Sequence, residues 1–489
     1  MTDSFFKKGT FSSLFILLYT LSFAQVAVPV EETLPGNSSV DQQPRISRDK
    51  PSTVNSASTP PSAKASAVKK VSAGQSRQPI SDSALLDLVQ KQTFRYFWDF
   101  ADPVSGLARE RSNKTPSYGN EVVTIGGSGF GVMAIIVATE RHWIDRDTAV
   151  KHLLKSVKFL YKANSYHGLF PHWMNGATGV TIPFSRKDDG ADVVETAYLF
   201  EGLLCARQYF NQNTLSEREL RDRINLLWKQ AEWSWQQRDM GNSYFWHWSP
   251  NNGWSMNFEI RGWNECLIAY VLSASSPTYP ITADVYNKCW ALSDHFINGR
   301  EFLGVKLPLG FPYGGPLFFA HYSFMGLNPH LLKDKYADYW EQNYSHTLIN
   351  YKYCVSNPLH FKGYGENCWG LTASDTYDGY SAQSPTNDFG TISPTAALSS
   401  FPYTPEYSMK ALKHFYYDLG NKIWGDYGFT DAFNETKNWY AGSYLAIDEG
   451  PIVVMIENYR SGLLWKLFMS CEEVQRGLQK LDFQTPINK

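Results

Sequence analysis

The chain has 489 residues and a formal net charge of −2, long enough for one large domain or two to three ordinary ones. That balance supplies no basic patch or stripe, so no nucleic-acid partner is expected. Charged residues make up 19% and aromatics 15%, with 16 Trp, 29 Tyr and 30 Phe; rings in such number mean either a large core or sugar-binding walls, because a flat ring packs on the C–H face of a pyranose.

The N-terminus has the features of a signal peptide. Lys7 and Lys8 precede an apolar run from Phe11 to Phe23, and Ser22-Phe23-Ala24 has the small-x-small pattern of a cleavage site. The run is too short for a comfortable membrane span. Residues 1–24 are therefore expected to direct export, which predicts a periplasmic or secreted protein with no membrane insertion after signal removal. Residues 25–80 are rich in Ser, Pro and Ala, contain no aromatic residue and read as a disordered linker. One domain is expected over 81–489, acting as a monomer.

From Ser81 onward the apolar periodicity predicts about twelve helices. They span 81–100, 124–144, 147–164, 190–208, 215–238, 257–275, 282–297, 316–326, 335–355, 392–401, 404–420 and 448–481, the last broken near Ser470. Two kinds alternate. In 147–164, Val150, Leu153, Leu154, Val157, Leu160 and Tyr161 form one stripe, whereas Gly126-to-Ala138, Val193-to-Ala206 and Ile452-to-Ile456 are apolar all round. A helix apolar on every side is buried. Alternation of half-buried and fully buried helices predicts two concentric rings, an all-α (α/α)6 toroid of six hairpins. Gly126-Gly127-Ser128-Gly129 lacks the strand and ribose acid of a nucleotide motif and reads as close helix packing.

Long loops at 165–189, 239–256 and 357–391 are rich in Gly, Trp, Tyr, His and Asn. Loops of this length in a compact domain are functional or disordered, and aromatic-rich ones are poor candidates for disorder. Three acidic segments follow such loops. In Asp188-Asp189-Gly190-Ala191-Asp192, Asp188 reads as a helix cap, while Asp189, Asp192 and Glu195 crowd one side of an apolar helix, where mutual repulsion raises some carboxyl pKa values. Glu259, Arg261 and Glu265 enter a second buried helix, with Glu265 deeper. Asp448 and Glu449 precede Pro451, which suits a first helical turn, and read either as caps or as site residues. Trp173 and Trp369 are candidate stacking platforms, and Arg186, Trp254, Arg261, Trp263 and Trp439 join Asp448 and Glu449 as candidate substrate contacts. His172 and His321 are isolated and read as structural. Cys205, Cys266, Cys289, Cys354, Cys368 and Cys471 have no zinc spacing, and no Walker or H-E-x-x-H motif occurs, so neither cofactor nor metal is expected.

The strings DDGADVVETAYLFEGLL, NFEIRGWNE, ENCWGLTASD and AIDEGPIVVMIENYRSGL resemble the glucoamylase-like domain of bacterial β-1,2-glucan-degrading enzymes, and in particular glycoside hydrolase family 144, the bacterial endo-β-1,2-glucanases. The resemblance runs from about 85 to 481. It implies an (α/α)6 toroid, metal-free hydrolysis with inversion, and essential acids at Asp189, Asp192 and Glu259. The expectation is a glycoside hydrolase that takes a glucan oligo- or polysaccharide, cleaves β-1,2-glucan and acts endo. The alternatives are an exo-acting, sophorose-releasing hydrolase, a polysaccharide lyase, and a non-catalytic glycan-binding protein on the same toroid.

Overall fold

The computed structural model describes residues 77–113, 119–293, 295–330 and 332–484. The expected signal peptide and almost all of the expected linker lie outside the described residues.

The chain builds outer and inner elements in strict alternation. Helix α1 (Asp82–Trp98) lies outside and α2 (Ile125–Glu140) inside; α3 (Arg146–Leu160) lies outside and α4 (Val193–Tyr209) inside. Helix α5 (Leu215–Gln230) is followed inside by α6 (Leu267–Ser275). A short outer turn over 283–290 leads to two inner 3-10 turns, Leu317–Ala320 and Tyr322–Phe324. Helix α7 (Tyr339–Ser356) precedes the short inner α8 (Pro394–Leu398), and α9 (Pro405–Lys413) precedes α10 (Ala446–Ser461). Two further helices, α11 (Leu463–Met469) and α12 (Glu472–Lys480), pack against α4 and α6. This is the (α/α)6 toroid that the alternation predicts.

Burial follows the pattern in the sequence. Every residue of α2 from Ile125 to Thr139 and of α4 from Val193 to Arg207 is buried, whereas α3 buries one stripe, including Val150, Leu153, Val157 and Leu160. The glycines set the distance between inner helices. A Cβ on Gly129 of α2 would lie 2.1 Å from the Tyr198 carbonyl oxygen of α4, and one on Gly202 would lie 2.2 Å from the Gly129 carbonyl oxygen. Neither backbone can move away cheaply, so the reading of this run as close helix packing holds.

Because each inner element is the second member of its pair, all inner elements run the same way. Their N-termini gather at one end of the ring, together with the long loops. Their C-termini meet basic residues: Arg141, just past α2, pairs with Glu457 of α10 at 2.9 Å, and Arg207, in the last turn of α4, pairs with Glu473 of α12 at 2.8 Å. Positive side chains at helix C-termini suit the helix dipole.

The predicted spans differ from the structure most at four places. The helix expected over 257–275 begins only at Leu267, because 258–260 is extended and pairs with the backbone of 244–246: Trp246 N–H donates to Phe258 O at 2.9 Å and Ile260 N–H to Tyr244 O at 2.8 Å. The span 282–297 shrinks to the turn over 283–290, and 316–326 is two 3-10 turns. The last helix breaks first at Gly462, whose φ of +69° favours glycine, and again near Ser470. Pro451 sits inside α10 rather than in its first turn, so the carbonyl four residues before it loses its usual helical partner.

Gly129→Ala is expected to destabilise the fold by about 1–3 kcal/mol through overpacking, read as a lower urea midpoint with an unchanged slope. An unaltered midpoint would mean that the helices separate without cost.

Candidate active site at the mouth of the inner ring

Asp192 caps α4. Its Oδ1 accepts the Val194 and Glu195 N–H groups, each at 2.9 Å. Its Oδ2 faces two imidazoles, His172 Nδ1 at 3.0 Å and His247 Nε2 at 3.4 Å. His247 arrives by strand pairing: beyond the small sheet of β1 (Val122–Thr124), β2 (Trp173–Asn175) and β3 (Thr181–Ile182), β4 (Ala191–Asp192) is antiparallel to β5 (His247–Trp248), with Asp192 opposite His247. The same His247 Nε2 lies 3.0 Å from Asp188 Oδ2. Asp188 therefore pairs with a histidine, and the cap is Asp192.

Opposite charges pair in this group. Burial lowers the pKa of His172, but Glu195, Asp192 and Asp188 outweigh it and raise the value to about 9. Burial likewise opposes His247, while Asp188 and Asp192 raise it to about 10. Burial pushes Asp192 up, yet hydrogen bonds from His172 and His247 hold it well below the usual carboxylate range. Two imidazoliums thus sit among buried carboxylates at neutral pH, each ion having an opposite partner, as buried charge requires. His172 and His247 are the residues that sequence reasoning missed: one read as an isolated structural histidine, the other was not singled out.

Glu195, one turn into α4, is buried. Its Oε2 accepts the Gly126 N–H at 2.8 Å and the Thr124 hydroxyl at 3.4 Å, and its Oε1 lies 3.8 Å from His172 Nε2. A Cβ on Gly126 would lie 2.6 Å from that carboxylate. Burial raises the Glu195 pKa despite the charge of His172. Glu265, just before α6, is 3% exposed, and its Oε2 has no hydrogen-bond partner among the described residues. Burial raises its pKa to about 8, and the charge of Glu195 adds to the shift. It is a protonated carboxyl at neutral pH.

A second acidic group comes from the other half of the ring. Asp375 lies on β6 (Ala373–Thr376), which pairs with β7 (Gly379–Ala382). The Arg111 guanidinium spans both Asp375 oxygens at 3.2 Å, and the Ser443 hydroxyl donates to Asp375 at 2.6 Å. The Asp375 N–H donates to Asp431 at 2.6 Å. Asp448, in the first turn of α10, faces Asp431, yet among the described residues neither of its oxygens completes a hydrogen bond of good geometry. Burial raises Asp431, Asp448 and Glu449, and mutual charge raises them further. The two groups meet at Tyr322, on the inner 3-10 turn. Burial raises its phenol pKa, and Asp448, Glu265 and Glu195 all add to the shift.

The sequence-predicted acids do not form one group. Asp192 is central, but Asp189 turns away and accepts from Asn251 at 2.6 Å; hydrogen bonds from Asn251, Ser249 and Asn252 outweigh its slight burial and lower its pKa. Glu259 lies on the extended segment, accepts from Ser243 at 2.6 Å and faces Arg261 at 3.4 Å, with a side chain 29% exposed. Asp448 and Glu449 do join the site. Trp263 and Trp369 do not: they are 1% and 0% exposed. Trp263 packs on Trp290 and Tyr339, and Trp369 stands edge-on to Tyr351 and donates its indole N–H to Tyr407 O. Neither offers a face to a sugar, because aromatic loops here also fill the space between rings. Trp173 is buried edge-on to Phe184, Trp254 and Trp439 are half-buried, and Arg186 and Arg261 are exposed, Arg261 donating to Leu292 O.

Residues 257–472 match the family model described as "Putative glucoamylase". The endo-β-1,2-glucanase of Chitinophaga pinensis, solved with sophorotriose and glucose, is 55% identical, covers 83% of this chain and 100% of its own, and superimposes with a TM-score of 0.82. The exo β-1,2-glucooligosaccharide sophorohydrolase (non-reducing end) of Parabacteroides distasonis is 46% identical over 424 residues, which is 82% of this chain; the chain spans 58% of that protein's length. The endo-β-1,2-glucanase of Talaromyces funiculosus, solved with sophorose, covers 81% of this chain and 89% of its own, with a TM-score of 0.53 at 8% identity, a likeness of fold alone.

The titrations give the pH dependence of stability a sign. Glu265 is raised from 4.5 to about 8, so its contribution is complete below about 4.5 and is lost as pH rises through 8. His172 and His247 are raised from 6.5 to about 9 and 10, so theirs is lost between 6.5 and 10. All three predict an unfolding free energy that falls from pH 6 to pH 9. Glu265→Gln keeps the shape and removes one titration, so its stability relative to the parent is expected to rise over that range by a few kcal/mol. Urea titrations at the two pH values read this, and a constant difference between the proteins would refute the buried, protonated Glu265.

Proposed function

We propose, for a chain that belongs to the glucoamylase-like family of glycoside hydrolases and, within it, to family 144 with the bacterial β-1,2-glucanases, that the acid-lined mouth hydrolyses β-1,2-glucan in endo fashion with inversion. The observation that carries this reading is a buried Glu265 with one unpaired carboxyl oxygen and the buried Asp431–Asp448 pair, both acting on one tyrosine, Tyr322. Glycoside hydrolysis needs one protonated and one ionised carboxyl on opposite faces of the sugar, about 6.5–9.5 Å apart for inversion. Glu265 supplies the proton to the departing glycosidic oxygen. The Asp431–Asp448 pair, whose mutual repulsion disfavours ionising both carboxyls, supplies one carboxylate to take a proton from water. Asp192, held between His172 and His247, positions Glu195 and the start of α4. Asp189 and Glu259 act at the rim, where Glu259 and Arg261 meet incoming glucan.

Endo action is supported by the resemblance to the Chitinophaga pinensis enzyme over that chain's whole length. Exo release of sophorose is the second reading, favoured by the Parabacteroides distasonis relative. Product profiles over time separate them: a spread of oligosaccharides at early times marks endo action, and sophorose alone marks exo. The signal-peptide features of residues 1–24 support a periplasmic or secreted protein, acting as a monomer whose hydrolytic step needs no metal or cofactor.

Glu265→Gln is expected to lower kcat on linear β-1,2-glucan by about 10²–10⁴-fold with folding retained. Glu259→Gln and Asp189→Asn are expected to raise KM more than they lower kcat. Full activity of Glu265→Gln, with loss in Glu259→Gln, would reverse the assignment. In the parent, kcat is expected to fall as pH rises through about 8, where Glu265 loses its proton; a profile flat to pH 10 would exclude it as the donor.

A further inference from the structure

Outside the acidic mouth, three chemically different donors converge. Cys368, His414 and Glu435 place one ligand atom each within 4.8 Å of one another. They come from three separate segments: the loop before β6, the turn that continues α9, and the turn that joins β8 (Phe433–Asn434) to β9 (Trp439–Tyr440). We propose that Cys368, His414 and Glu435 bind one thiophilic divalent cation of the zinc class, in an open three-residue site that ties their segments together.

Several features fit. A thiolate, an imidazole and a carboxylate are the donors that zinc takes, commonly three from protein with a fourth position left for water. His414 Nδ1 is engaged by Asp418 Oδ2 at 2.8 Å, which leaves Nε2 as the nitrogen for an ion. A histidine whose other nitrogen is held by a carboxylate is the usual arrangement around a bound metal. Room for the carboxylate is provided: Gly363 has φ +91°, and a Cβ there would lie 2.3 Å from Glu435 Oε1. Cys368 is 2% exposed while His414 and Glu435 are half-buried, so an ion has a way in. A divalent cation with one thiolate and one carboxylate is electrically neutral, which suits partial burial. Tetrahedral coordination at about 2.0–2.3 Å needs donors about 3.4–3.8 Å apart, a closure within reach of side-chain rotation.

The consequence for the fold is specific. Cys368 precedes Asp375 on the approach to β6, and Glu435 follows Asp431 just past β8. An ion between them fastens the two segments that carry those acids.

The test is titration of the purified full chain with Co²⁺, followed through the thiolate-to-cobalt charge-transfer band, then displacement by Zn²⁺. One equivalent with that band is expected, and Zn²⁺ is expected to raise the melting temperature. Cys368→Ser is expected to abolish the band, His414→Gln and Glu435→Gln to weaken binding, and Asp418→Asn to weaken it by about 10–100-fold. Should Cys368→Ser fail to fold, the surface-accessible Glu435→Gln and Asp418→Asn carry the test. Absence of the band, a band that survives Cys368→Ser, or binding unchanged in Glu435→Gln and Asp418→Asn would overturn the proposal.

Discussion

The parallel inner ring is the constraint on which the site depends. Because each inner element follows an outer one, the N-termini collect at one end, and the positive ends of their dipoles collect with them. Carboxylates gather there: Asp192 as a cap, Glu195 on the Gly126 N–H, Asp448 and Glu449 in the first turn of α10. The dipoles cannot carry so many buried anions alone. The molecule resolves the excess in two ways. In one half, His172 and His247 supply positive charge; in the other, burial and mutual repulsion raise the pKa values of Asp431, Asp448 and Glu449, with Arg111 beside Asp375. Glu265 lies between these solutions, with neither a cation nor a hydrogen bond on its Oε2 among the described residues. A carboxyl left in that condition keeps its proton.

The architecture was legible because burial writes itself into periodicity. Fully apolar helices such as Val193–Arg207 and striped ones such as Arg146–Leu160 alternate in the sequence as they do in the rings. Where the apolar run belongs to strand-like pairing, as at 258–260, period alone could not separate it from a helix. The 3-10 turns at 317–324 stand where a helix is expected over 316–326, since short apolar runs carry no distinguishing period.

The candidate site was legible in part. Its acids after aromatic loops lie on segments that meet at one end of the ring, and Asp192, Asp448 and Glu449 lie in the mouth. Choosing among neighbouring acids was harder. Asp188 and Asp189 are adjacent, yet one pairs with His247 and the other with Asn251, a difference set by the pairing of β4 with β5. His247 carried no local signal, because its importance comes from a residue more than fifty positions away. Asp431 likewise becomes meaningful only beside Asp375 and Asp448. The tryptophans misled for the opposite reason. Trp263 and Trp369 fill the gap between rings, where a flat side chain is as useful to packing as it is to a sugar.

The glycine contacts between α2 and α4 have a consequence for how such a protein can change. Gly126 touches the Glu195 carboxylate, and Gly129 touches the backbone of Tyr198, a residue whose own phenol feels Glu265 and Glu195. The girth of the ring and the placing of its acids are thus one variable. A methyl group that widened the ring would also shift the carboxylates, so drift in the staves is penalised twice. The loops above the mouth carry no such double burden, and novelty can accumulate there while the girth stays fixed.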